Sequence, residues 1–297
     1  MTRRQTAIVA DAPVPTPIVA FWNATLAPKF IRFRHILEGG LSRHSEAVLP
    51  TLGVRPGDRI ADVGCGFGDT AIALAASTGP SGHVTGLDCC DAFLDIARRE
   101  RAAAGADNLD FIAADAETAL PQGAFDFVFA RFGTMFFTNP VAGLRNMRRA
   151  LRPGGRMTHI VWRDRADNPW LAASREILLR HLASPDTDAP SCGPGPFSMA
   201  DPAVVEAQMR AAGFIDITLR RVDAKVLVGR DRDEAVAFQL AIGPAGEIFR
   251  NAGPEAERRR AAIEADLRAM FDAEDRDDTG IWMDSSSWVV SGVAPEV

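Results

Sequence analysis

From residue 59 to residue 162, short apolar runs alternate with stretches of helical period. Arg59–Val63, His83–Asp88, Leu109–Ala113, Phe125–Ala130 and Arg156–Trp162 read as strands. Between them, helices are predicted over about 69–77, 91–104 and 140–151, the last opened by Pro140. Strand and helix in alternation predict a parallel, doubly wound sheet. The 125–130 run is apolar apart from Asp126, as a strand covered on both faces should be.

The flanks are less regular. Helices are predicted over Ile18–Leu26, Pro28–Leu37 and Ser42–Leu52, with Gly39 and Gly40 ending the second. Beyond the core, helices start at Asn168-Pro169, Asp201-Pro202, Asp231 and Pro254. Asp231 with Glu234 forms a capping-box pair. In the last helix, Ile263, Leu267, Met270 and Phe271 share a face. Phe214–Val222 and Ser286–Val293 read as two further strands.

Composition adds bounds. The 297 residues suffice for one α/β domain with substantial accessory segments. A net charge of −6 disfavours nucleic acid as a partner. No apolar run approaches the roughly 20 residues a bilayer span needs, and the first 17 residues lack the apolar core of a signal peptide. The expected compartment is the cytoplasm, with no membrane partner. Cys65, Cys89, Cys90 and Cys192 follow neither a disulfide nor a zinc spacing, so no metal is expected. There is no tyrosine, which leaves base chemistry to His, Asp and Glu.

The strongest chemical signal is Gly64, Gly66 and Gly68, between the first strand and its helix. Glycines there let a ligand approach the backbone. A dinucleotide site would place pyrophosphate on the helix N-terminus. Here Asp62 and Asp69 flank the turn, and the glycines run G-x-G-x-G in place of G-x-G-x-x-G. Two acids repel a pyrophosphate and suit a cation such as S-adenosylmethionine, with its ammonium and sulfonium.

Two further acids follow strands. Asp88 ends the second strand, where a carboxylate can accept from ribose hydroxyls. Asp115, followed by Ala116, stands after the third strand and can meet an adenine amino group. Residues 131–137 follow the fourth strand, so Arg131, Phe132, Met135 and Phe136 can border cofactor or substrate, with core packing the alternative for the phenylalanines.

With these residues in place, the chain resembles the class I S-adenosylmethionine-dependent methyltransferases, in the branch of ubiquinone/menaquinone-biosynthesis-type small-molecule methyltransferases. The matching stretches are 62–68, 86–94, 114–117, 125–132 and 151–155. The resemblance implies a seven-stranded, mostly parallel Rossmann-like sheet with an antiparallel pair at one edge, a helical N-terminal preface and helical lid insertions. It implies cofactor contacts from Asp62, Gly64, Cys65, Gly66, Gly68, Asp88, Cys89, Asp115, Ala116 and Arg131.

The corresponding division is a flexible arm (1–17), a preface or cap (18–54), a cofactor-binding core (55–162) and a lid insertion (163–201). A core continuation (202–222), a helical insertion (223–280) and the last strand with a tail (281–297) complete it. His35 and His44, in the preface, are the candidate bases; His83 and His159 read as structural. The expected acceptor is a small apolar or aromatic molecule, methylated at oxygen or carbon, against Trp22, Phe132, Met135, Phe136, Trp162, Trp170 and Phe197. A homodimer is a candidate assembly. An NAD(P)-dependent oxidoreductase and a non-catalytic binding protein of the same fold are the alternatives.

Overall fold

The computed structural model describes residues 16–118, 120–184 and 194–296. The expected arm at 1–17 lies almost wholly outside them, as does Cys192. The core strands are β1 (Arg59–Val63), β2 (His83–Asp88), β3 (Leu109–Ala113), β4 (Phe125–Arg131) and β5 (Leu151–Trp162). They are followed by β6 (Ile215–Gly229), β7 (Asp275–Asp277) and β8 (Gly280–Val293). The sheet runs β3-β2-β1-β4-β5-β8-β6, with β7 added to β8 as a short hairpin. β1 to β5 are mutually parallel, and β8 is antiparallel to both β5 and β6.

The helices are α1 (Pro17–Phe21), α2 (Ala27–Arg32) and α3 (Arg34–Val48), then α4 (Asp69–Thr78), α5 (Asp91–Ala104) and α6 (Pro140–Ala150). After the core come α7 (Pro169–His181), α8 (Pro202–Ala212), α9 (Arg232–Ala241), α10 (Gly243–Ala252) and α11 (Pro254–Phe271). One π-helical turn, Trp22–Leu26, joins α1 to α2. α4 and α5 pack on β1, β2 and β3, while α6 and α8 pack together against β4, β5 and β6. α7 and α9–α11 bundle together beside β6 and β8. Phe127, Phe129, Ile60, Leu87 and Leu109 are fully enclosed, which explains the unbroken apolar runs of the central strands.

Several expected boundaries shift, and β5 already begins at Leu151 in place of Arg156. α3 runs straight through Gly39 and Gly40, because Gly40 is where the helix meets β6: a Cβ there would stand 2.8 Å from the Leu227 carbonyl oxygen. β6 continues to Gly229 instead of stopping at Val222. β8 begins at Gly280, six residues before the expected Ser286, and carries Ser285, Ser286 and Ser287 as buried strand residues. Their hydroxyls bond to carbonyls, to Asp223 and to His44, so the sheet carries them without loss.

The chain runs outward from β1 to β3 and then crosses back to β4. That reversal opens a crevice beyond the carboxyl ends of β1 and β4, the usual ligand position in such sheets.

Candidate active site

A cleft holding about 1190 Å³ of open space, its mouth included, fills this crevice. Four core strands contribute their carboxyl ends: Gly64–Phe67 after β1, Asp88 and Cys89 at β2, 114–117 after β3, and Arg131–Gly133 with Phe136 and Phe137 after β4. The preface closes the other side with Ile18, Val19, Trp22, Phe30, Glu38 and Leu41, among others.

The glycine turn has the backbone its sequence required. Gly64, Gly66 and Gly68 have φ of 70°, 54° and 89°. Gly64 and Cys65 donate to the Leu87 carbonyl, and Gly66 donates to Asp88 Oδ2 at 2.9 Å. Asp88 Oδ1 accepts from Cys90 N at 2.9 Å. Asp88 therefore braces the turn against β2 while facing the cleft. Burial raises its carboxyl pKa, and the amide donors partly offset this. A Cβ on Gly66 would meet no protein atom within 4 Å, so its open side is the cleft. Gly68 is different: a Cβ there would strike Phe111 at 2.9 Å, so this glycine serves packing and does not line the cleft.

Asp62 also lies behind the lining. It is fully buried and takes the Thr70 hydroxyl at 2.6 Å, and among the described residues Oδ1 has no partner. Desolvation pushes its pKa up to about 7. Asp69 pairs with Arg131 at 2.8 Å, and Arg131 also donates to Ser45 on α3 at 2.7 Å. Asp115 Oδ1 accepts from Glu117 N, and Glu117 in turn holds Thr138 N and Asn139 N, which ties the loop after β3 to the start of α6.

These residues suit S-adenosylmethionine. The cradle at Gly66 is what a Cβ would fill, the buried Asp62 oxygen lacks a donor, and the carboxylates outnumber the cations around the turn. Asp88, Cys89 and Cys90 also place potential ligand atoms within 4.8 Å of one another. Both Asp88 oxygens already serve backbone amides and Cys90 is buried, so the group reads as a cleft wall and not as a metal centre.

Both candidate bases stand elsewhere. His35 is exposed and pairs with Glu234 at 3.0 Å, outside the cleft. His44 is fully buried. Ser285 gives its proton to the Ala224 carbonyl at 2.6 Å, so it must accept from His44 Nε2 at 2.8 Å. Ser287 Oγ lies 2.9 Å from Nδ1 and 3.4 Å from the Val222 carbonyl, and with the ring neutral Nδ1 is the acceptor of its proton. His44 is thus a neutral, doubly satisfied ring, and burial lowers its pKa to about 4. His159, fully buried in β5, is lowered to about 3 for the same reason.

Four expected pocket residues also lie off the cleft. Trp162 is buried and stacks on Phe132 with centroids 3.8 Å apart; Trp170 packs edge-on against Trp162. Met135 is buried with its sulfur against Trp162 N. Phe197 lines a separate groove with Trp288. Phe132, held at φ 56°, faces the cleft and transmits this aromatic stack to it. Trp22 and Phe136 do line it and meet edge-on at 5.2 Å. Among the described residues, 163–280 contribute nothing to the lining, whose outer side is formed by the preface.

The reading of the chain missed Phe30, Leu37, Glu38 and Leu41. The signal was present: 37, 38, 41 and 45 recur at helical spacing on one face of α3. Ending a helix at Gly39 concealed it.

Residues 60–155 match the family model described as a methyltransferase domain. Over this stretch the chain is similar to class I S-adenosylmethionine-dependent methyltransferases. It is 36% identical over 151 residues to a ubiquinone/menaquinone biosynthesis C-methyltransferase of Ectopseudomonas mendocina, covering 50% of this chain and 59% of that one. It is 32% identical over 134 residues to a demethylmenaquinone methyltransferase of Staphylococcus aureus, covering 44% and 54%. The chain spans about half the length of these curated relatives.

Among solved structures, a Haemonchus contortus phosphoethanolamine N-methyltransferase 2 in complex with S-adenosyl-L-methionine is similar in fold. Its TM-score is 0.56 at 16% identity, covering 95% of this chain and 61% of that one. The YcgJ protein of Bacillus subtilis has a TM-score of 0.54 at 16% identity, covering 86% and 100%. No helix among the described residues is long and apolar enough to cross a membrane.

Proposed function

We propose that this chain moves a methyl group from S-adenosylmethionine to a small, apolar, ring-bearing acceptor, with carbon methylation of a quinone-type ring the favoured chemistry. The observation that carries this is the two-sided cleft. Its core side is glycine backbone and carboxylate; its preface side is aliphatic and aromatic. Asp115 and Asp88 would take the adenosine, and Gly64–Gly66 the methionine part. The printed names of the curated relatives support the quinone class.

S-adenosylmethionine, when bound, supplies an electrophilic methyl group on a sulfonium. The protein orients and shields. Trp22, Phe30 and Phe136 form an edge-packed wall against which a flat acceptor can lie. Asn23 donates to the Cys89 carbonyl at 2.9 Å and pins this wall to the core. Holding the acceptor in line and excluding water is worth up to roughly 7–11 kcal/mol. No histidine is needed for that, and neither candidate histidine lines the cleft.

Calorimetry with S-adenosylmethionine and S-adenosylhomocysteine tests the cofactor part; no binding of either at millimolar ligand would sink it. Transfer of label from methyl-tritiated S-adenosylmethionine to a panel of short-chain quinols, phenols and amines tests the acceptor. Labelling of amines alone would overturn the quinone class.

A further inference from the structure

Along the cleft, Asp115 follows β3, Asp88 ends β2, Gly64–Gly66 follow β1 and Arg131 ends β4, the order of the strands across the sheet. With adenosine at the β3 and β2 end, as proposed above, the methionine part reaches the β1 and β4 end. There the wall opposite the turn is α3.

Glu38 is the acid that α3 turns toward this end. It lies in the cleft lining with Asp69 and Arg131. Ser45, seven residues and two turns further on, is on the same face and bonded to Arg131. Glu38 also lies close enough to Asp69 for their charges to interact.

The charges near Glu38 do not balance. Asp69 and Arg131 neutralise each other at 2.8 Å. Arg34 donates to Glu38 Oε1 at 2.8 Å and is shared with Glu100 on α5 at 2.9 Å. Among the described residues, two carboxylates and one guanidinium leave a net negative group. Part-burial makes its charge costly, and the carboxyl pKa is raised accordingly. A cation placed opposite would relieve that cost; a neutral molecule of the same shape would not.

We infer that Glu38 reads ligand charge at the methionine end of the cleft, favouring the sulfonium of S-adenosylmethionine over the neutral thioether of S-adenosylhomocysteine. The inference rests on the cofactor reading above. It gives the site a means of releasing its product: methyl transfer removes the positive charge that Glu38 holds.

The test is the ratio of two dissociation constants by calorimetry, with S-adenosylmethionine and S-adenosylhomocysteine as the probes. Glu38→Gln keeps the shape and the acceptor atom facing Arg34. It is expected to weaken S-adenosylmethionine about tenfold and S-adenosylhomocysteine less than twofold. Glu38→Asp, which keeps the charge, is expected to recover part of the ratio, and circular dichroism checks that both variants fold. Equal weakening of both ligands would mean that Glu38 serves the shared amino group, and would overturn the inference. An unchanged ratio would overturn it as well. Wild-type protein that binds neither ligand would overturn the cofactor reading, and this inference with it.

Discussion

Thr70, in the first turn of α4, gives its hydroxyl proton to Asp62 at the end of β1 across 2.6 Å, and leaves the other Asp62 oxygen buried without a partner. The pair locks the glycine turn between strand and helix. It does so with a carboxyl group whose pKa is raised from 3.8 to about 7. The folded state therefore binds this proton more tightly than the unfolded chain. Its contribution to stability is full below about pH 4 and is lost as pH rises toward 7. Asp62→Asn removes that dependence. In urea unfolding, the variant is expected to gain on the wild type between pH 5 and pH 8, by an amount of the order of 2–4 kcal/mol at most. A constant difference across that range would count against the assignment.

The ligand side of the same group runs in the opposite direction. A cationic ligand stabilises ionised Asp62, so its binding should release a proton below pH 7. Affinity for S-adenosylmethionine is expected to rise from pH 5.5 to pH 7.5 in the wild type and to lose most of that slope in Asp62→Asn. Calorimetry in buffers of different ionisation enthalpy would count the proton directly.

Gly66 and Gly68 separate binding from folding. Both have positive φ, at 54° and 89°, so alanine costs about 1–2 kcal/mol of backbone strain at either. Gly66→Ala adds no clash with protein, yet its methyl enters the cleft. Its S-adenosylhomocysteine affinity is expected to fall at least about tenfold with modest destabilisation. Gly68→Ala overlaps Phe111 and Ala97 and is expected to lose a further 1–3 kcal/mol or so of stability. Urea midpoints with calorimetry decide it, and the reverse ordering of the two variants would refute the assignment.

His44 is expected to behave as a structural residue. Its folded pKa, about 4, lies below the ordinary 6.5, and His159 is lower still at about 3. The unfolded chain takes up these protons first. Their contribution is thus present above about pH 6.5 and lost as pH falls toward 4, opposite in sign to that of Asp62. His44→Ala leaves Ser285 and Ser287 short of a partner and should cost about 2–4 kcal/mol, with a shallower acid-unfolding slope. S-adenosylhomocysteine affinity should stay within about threefold, while a binding collapse in folded protein would place His44 in the site after all.

The core was legible because its central strands β1, β2 and β4 are buried on both faces and most of its turns are marked by glycine or proline. Asp88 and Asp115 were legible because strand ends converge on one crevice whatever the side chains between them. His44 was not. A histidine in the preface satisfies the same local pattern whether it faces the cleft or β8, and only the partner strand decides. That strand was read only from Ser286, so Ser285, which takes the His44 Nε2 proton, was left outside it. Trp162 and Trp170 misled for a related reason: a large aromatic next to a cleft motif packs as well behind the wall as in it.

Gly39 and Gly40 make the same point within two residues, and their substitutions should have opposite signs. Both interrupt the helical pattern, yet α3 passes through them. Gly39 is exposed, and a Cβ there meets nothing within 4 Å. Gly39→Ala is expected to stabilise the fold by about 1 kcal/mol, the ordinary helix preference of alanine over glycine. Gly40 is buried against β6, where a Cβ would stand 2.8 Å from Leu227 O and 3.2 Å from Leu227 N. Backbone cannot swing aside as a side chain can, so α3 must lift. Gly40→Ala is expected to destabilise by about 1–3 kcal/mol despite the same helix gain. Because α3 carries Leu37, Glu38 and Leu41 into the cleft, lifting it should also weaken S-adenosylmethionine binding, whereas Gly39→Ala should not. If thermal unfolding showed both variants stabilised, the contact between α3 and β6 would not be as close as the structure places it, and the preface would not be the wall of the cleft.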